Sequence, residues 1–129
     1  MRVFKTKEFS RYARREGVSD KQLCEAIRRA VLGLVDADLG GGLIKQRVAR
    51  PGQGRRGGFR ILMAFQAARR TVFVYGFAKN ERENIQPDEL EFWRTVAKAF
   101  IGLNESQLKT LLDEGEIHEV MYEENEKQI

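Results

Sequence analysis

The sequence predicts an α+β domain with a small, mainly antiparallel sheet, and three observations lead there. Apolar residues recur at helical spacing near both ends of the chain. Between them lie three short runs rich in β-branched and aromatic residues. Glycine clusters separate these regions, and the 129-residue length is that of one folding unit that buries a core without disulfide staples.

The elements follow in order. Arg2 to Lys5 can form a short N-terminal strand, and a helix starting near Thr6 and running to Arg15 has Gly17 as its stop. Ser19 with Gln22 three residues later matches a capping box; Leu23, Ala26, Ile27, Ala30, Val31 and Leu34 then keep helical spacing, which carries the second helix to the glycines at 40–42. LIKQRVA from Leu43, FRILMAFQ from Phe59 and TVFVYGF from Thr71 read as three consecutive antiparallel strands, a meander. The last two are nearly continuous in apolar character and belong in the middle of the sheet. Pro87 opens a third helix with acids in its first turn, and Asn104 caps a short fourth one ended by Gly115. The remaining acidic stretch from Glu116 reads as a frayed or solvated terminus, with docking on the domain or on a partner through Ile117, Val120, Met121 and Tyr122 as the alternative.

Composition excludes several classes. Single Cys24 forbids an internal disulfide and a multi-cysteine zinc site, and single His118, lying in the acidic tail, leaves little room for histidine-based catalysis. Neither a membrane span nor a signal-peptide core is visible, so a cytoplasmic location is expected. The net charge of +4 is unevenly spread. From Ile44 to Asn80 there are nine basic residues and no acid, whereas from Glu83 onward twelve acids face four basic residues. A basic centre of this kind predicts a positive face for a polyanion. Within it, RVARPGQGRRGGFR divides in two: Arg50, Arg55 and Arg56 sit on a flexible stretch that gathers phosphates, while Arg47 and Arg60 sit on strands that hold a geometry.

The stretch GRRGGFRILMAF, followed at a fixed distance by VYGFAKNERENI, resembles the RelE/ParE superfamily of toxins from type II toxin–antitoxin systems, nearest its HigB-like and RelE-like branch. The resemblance covers roughly residues 1–103, leaving 104–129 as a short, helical, acidic extension. It implies a compact α+β toxin that cuts mRNA on translating ribosomes without a metal or other cofactor, and that is neutralised by a cognate antitoxin, here expected to be of helix-turn-helix type. A ParE-like gyrase poison and a non-catalytic nucleic-acid-binding module are the alternatives on the same scaffold.

Metal-free RNA cleavage requires a group to deprotonate the 2′-hydroxyl, positive charge for the phosphorane, and a proton for the leaving 5′-oxygen. Arg60, entering a strand, is the expected transition-state stabiliser, because its guanidinium offers paired donors and stays charged. Lys79 and Glu81, just past the last strand, are the candidates for proton transfer; Glu81 serves either as base or as an anchor for Lys79 or an arginine. Lys45, Arg47, Arg50, Arg55, Arg56 and Arg82 are expected to bind RNA. Tyr75 either stacks on a base, donates a proton or belongs to the core. Family members carry a catalytic arginine and then a tyrosine after the last strand, where this chain has Asn80 and Gln86; those two roles are not transferred, and Arg82 is the nearest substitute for the arginine.

Overall fold

The computed structural model describes residues 1–50, 54–82 and 84–123, and the side chains of residues 54–56 lie outside that set. The order is β1 (Arg2–Thr6), α1 (Lys7–Glu16), α2 (Asp20–Val31), β2 (Ala37–Gly40), β3 (Leu43–Arg50), β4 (Gly54–Gln66), β5 (Arg70–Ala78), α3 (Pro87–Gly102), α4 (Glu105–Asp113) and β6 (Ile117–Val120). The fold is α+β, as the periodicities require.

Local chemistry sets the helix boundaries. Thr6 ends β1 and caps α1, its hydroxyl accepting from the Phe9 N–H at 3.1 Å. Ser19 and Gln22 form the expected capping box on α2, and Asn104 with Gln107 repeats it on α4. Three helices stop in the same way, at a glycine of positive φ: Gly17, Gly33 and Gly115. After each, the next residue's N–H reaches back five positions, to Ala13, Arg29 and Leu111.

Gly33 is where the expected second helix is wrong. The helix ends at Val31 because Gly33 and Leu34 close a Schellman turn on Ala30 and Arg29. The chain then forms the four-residue strand β2, which hairpins onto β3. At the terminus the docking alternative holds over fraying: Ile117–Val120 pairs antiparallel with β1, with Ile117 and Val120 buried.

The six strands run in the order β2-β3-β4-β5-β1-β6, and only the β1–β5 pair is parallel. Strand alternation sends residues to two cores. Phe59, Ile61, Met63 and Phe73 pack with Phe9, Leu23 and Ile27 of α1 and α2; Leu62, Ala64, Val72 and Val74 pack with Ala97 and Leu108 of α3 and α4. Having both faces covered is why β4 and β5 read as nearly continuous apolar runs.

Two glycines separate conformational from steric demand. A Cβ at Gly33 would meet nothing within 4 Å, so Gly33→Ala should cost only the φ penalty, about 1 kcal/mol. At Gly76 the added carbon would lie 2.5 Å from Cε2 of Tyr12 and 3.2 Å from Cδ1 of Ile61. Gly76→Ala should therefore lose more, roughly 2–3 kcal/mol, and urea denaturation of the two variants should show that order.

Candidate functional site

Strand register brings together residues that the sequence keeps apart. Arg47 of β3 lies opposite Arg60 of β4, and Arg60 lies opposite Phe77 of β5. The neighbours Phe59 and Ile61 belong to the α1–α2 core, so alternation turns Arg60 to the other face, toward the side covered by α3. Ile44, Gln46 and Val48 likewise face α2, which turns Lys45 and Arg47 to the Arg60 side.

The three cations form a graded cluster. Arg47 is exposed, Lys45 is half-buried and Arg60 is only 7% exposed. Burial lowers the Lys45 ammonium below the ordinary lysine range, and the positive charges of Arg60 and Arg47 push it further down. Arg60 is lowered as well, by burial first and then by Arg47.

One carboxylate stands beside the cluster, and it comes from outside the basic block. Asp36 accepts the Arg47 N–H at 2.7 Å and the Arg29 guanidinium at 3.3 Å, and its charge partly offsets the cationic field on Lys45 and Arg60. Sequence reasoning missed it, because β2 was read as helix; a hairpin through Gly40–Gly42 would have placed it there.

The other expected site residues separate. Glu81 turns back on its own strand, its carboxylate accepting the Ala78 N–H at 3.3 Å, and its charge helps burial and Glu16 to raise the Tyr12 hydroxyl pKa. That is the α1 side, away from Arg60. Arg50 also goes to that side, with its guanidinium carbon 5.4 Å from the Phe59 ring centre. Lys79 is exposed in the turn just past β5, two residues beyond Phe77, and its N–H bonds to the Gly58 carbonyl. The side chains of Arg55 and Arg56 lie outside the described residues.

Arg82 is engaged. It forms a two-pronged pair with Glu89 and donates to the Tyr75 hydroxyl at 3.2 Å, and these bonds raise its pKa, Glu89 foremost. Tyr75 stacks on Trp93 at 5.0 Å between ring centres and is tilted against Phe77 at 6.0 Å, forming the aromatic rim of the α3 core. Arg69 and Arg70 lie at the far end of the β4–β5 hairpin, bonded to carbonyls at the end of α3. The nine-residue basic block is therefore several groups with different jobs.

With this geometry in hand, one comparison decides the class. The family profile described as the RelE toxin of the RelE / RelB toxin-antitoxin system matches residues 1–120. The chain belongs to the RelE toxin family. A search of curated proteins found no match. The family match runs through β6, so α4 and β6 fall within it. RelE toxins pair with an antitoxin, which makes this chain the toxin half of a toxin–antitoxin system. No described helix is long and apolar enough to cross a membrane.

Proposed function

We propose that this RelE-family toxin is a cytoplasmic mRNA endoribonuclease acting on translating ribosomes without a metal, with Lys45, Arg47 and Arg60 as its chemical centre. The observation that carries the reading is the cross-strand cluster of three cations containing a lysine of lowered pKa. A solvated basic patch would not need its ammonium partly desolvated.

In the proposed step, neutral Lys45 takes the proton of the 2′-hydroxyl, the 2′-oxygen attacks the adjacent phosphorus, and the P–O5′ bond breaks. The 5′-oxygen takes a proton from the Lys79 ammonium, leaving a 2′,3′-cyclic phosphate on one fragment and a 5′-hydroxyl on the other. Arg60 and Arg47 hold the non-bridging oxygens as negative charge builds on them. Glu81 acts as an anchor in this scheme: its bond to Ala78 shapes the turn that presents Lys79.

The direct test is primer extension on mRNA in a translation mixture. Breaks within translated codons support the reading; intact transcripts contradict it, and trapping of gyrase in a supercoiling assay would assign the chain to the other toxin activity. The proton assignment makes its own prediction. Single-turnover cleavage should rise with pH up to the lowered Lys45 pKa. Arg47→Gln removes a like charge, so Lys45 should titrate higher and the rising limb should extend to higher pH, in addition to any loss of rate. An unmoved limb would take the base role away from Lys45.

A further inference from the structure

We propose that the cavity at the open edge of β5, between α1 and α3, is a subsite for one nucleobase, seated on the main chain of Gly76. That the base belongs to the message, beside the nucleotide being cut, rests on the RNA-cleavage reading; that the cavity takes a base does not.

β1 covers the outer edge of β5 only as far as Phe73, the partner of Lys5. At the other end a turn closes on Ala78, whose N–H goes to the Glu81 carboxylate and whose carbonyl accepts from the Glu81 and Arg82 N–H groups. Gly76 lies between these two closures. The bond from the Lys79 N–H to the Gly58 carbonyl sets the alternation along the β4–β5 ladder: Phe77 and Tyr75 exchange bonds with Arg60 and Leu62, and both main-chain groups of Gly76 turn outward. Gly76 is buried, and neither group has a partner among the described residues. Buried main-chain groups are nearly always paired, so a buried donor beside a buried acceptor marks a place for a ligand.

The walls say which ligand. Tyr12, Tyr75, Phe77 and Trp93 line a cavity of about 570 Å³, the size of a small-molecule site. A Cβ at Gly76 would lie 2.5 Å from Cε2 of Tyr12, so only glycine lets that ring lie on the strand; the Tyr12 hydroxyl is also buried without a partner among the described residues. The charged lining groups are largely engaged: Arg82 by Glu89, Arg15 by Glu16 and Glu81 by the Ala78 N–H, while Glu8 and Arg11 oppose each other in sign. A phosphate or an acidic peptide would find little free charge here. Closed at both ends, by the start of α1 and by the Glu81 turn, the opening takes a compact ligand and not a strand running through it. An uncharged heteroaromatic ring finds stacking surface and a paired donor and acceptor, which the Watson–Crick edge of a nucleobase matches. Phe77 joins the cavity to the cation cluster, since it lies opposite Arg60 and lines this wall. A message base held at Gly76 therefore belongs to a neighbour of the nucleotide being cut.

Amide NMR of the full-length toxin tests this, reading the Gly76 N–H and the indole N–H of Trp93, the single tryptophan. At least one of the four ribonucleosides should move both signals together, and ribose 5-phosphate should move neither. A short RNA with a 2′-deoxy nucleotide at the break should move the same two at a concentration at least tenfold lower, since phosphate contacts then add to the base. In cleavage, Trp93→Leu should flatten the preference for the base beside the break, measured as a ratio of kcat/KM values, by about tenfold. Signals that no nucleoside and no RNA moves overturn the proposal, as does equal movement by ribose 5-phosphate, which would make this an anion site. Nucleosides that bind while RNA leaves both signals unmoved, or a preference unchanged in Trp93→Leu, overturn the assignment to the message. A toxin that cuts no RNA while nucleosides still move both signals keeps the base subsite and removes only the proposed activity.

Discussion

Replacing Arg60 with methionine is expected to slow RNA cleavage by about two to three orders of magnitude while the protein folds normally. Arg60 is buried on the α3 face of the sheet, where it is costly to hold a charge and where a charge acts most strongly on a phosphorane. Methionine keeps the apolar stem, and the thermal midpoint measures what losing the guanidinium's own interactions, the attraction of Asp36 among them, costs the fold. Arg60→Lys should recover part of the rate, since charge returns without the fork. Single-turnover cleavage with thermal denaturation on the same samples separates these effects. A methionine variant that is fully active would remove Arg60 from the chemistry, whatever its stability.

Arg70→Met is expected to do the opposite, destabilising the protein by about 3 kcal/mol, or roughly 10 °C, without changing the rate per folded molecule. Arg70 is 3% exposed and donates through one nitrogen to the carbonyls of Phe100, at 2.8 Å, Ile101, at 3.1 Å, and Leu103, at 2.8 Å. No basic residue lies in the last turn of α3, so Arg70 and Arg69 supply from β5 and its turn the positive charge that a helix C-terminus favours. Truncation strands those carbonyls. The distance to the cation cluster is long: Arg70 and Phe77 are seven residues apart on one strand, about 23 Å. Calorimetry and cleavage of the folded fraction test the two halves of this expectation.

The contrast between Arg60 and Arg70 marks where the sequence was legible. Capping boxes at Ser19 and Asn104, Pro87 at a helix start, and stop glycines at 17 and 115 are local signals, and the structure keeps them. The meander from Leu43 to Ala78 was equally visible, because β-branched and aromatic runs have no helical competitor there. β2 was hidden: Ala37–Gly40 is four residues of low strand propensity, formed because the glycines at 40–42 fold it onto β3. At β6 the docking residues Ile117 and Val120 were legible but the strand was not, because they face different cores within an acidic surround and leave no one-sided apolar pattern.

The site followed the same rule. Arg47 and Arg60 could be assigned to strands, but their pairing is a register, and register depends on the whole sheet. Asp36 needed the unseen hairpin. Arg50 needed the strand's alternation: two residues beyond Val48 it shares the face of Phe59 and leaves the face of Arg47 and Arg60. Glu81 and Arg82, close in sequence to Lys79, were drawn off by Ala78 and Glu89, partners that charge counting does not weigh.

The central claim is that this toxin cuts RNA through the RNA's own 2′-hydroxyl, with the Lys45–Arg47–Arg60 cluster around the phosphate. It is tested most directly with an mRNA carrying one 2′-deoxy nucleotide at the mapped break, programmed on ribosomes beside its all-ribose twin. The account predicts that the ribose message is cut to a 2′,3′-cyclic phosphate and the deoxy message stays whole at that position. Equal cutting of both, or a 3′-hydroxyl end on the product, would contradict it.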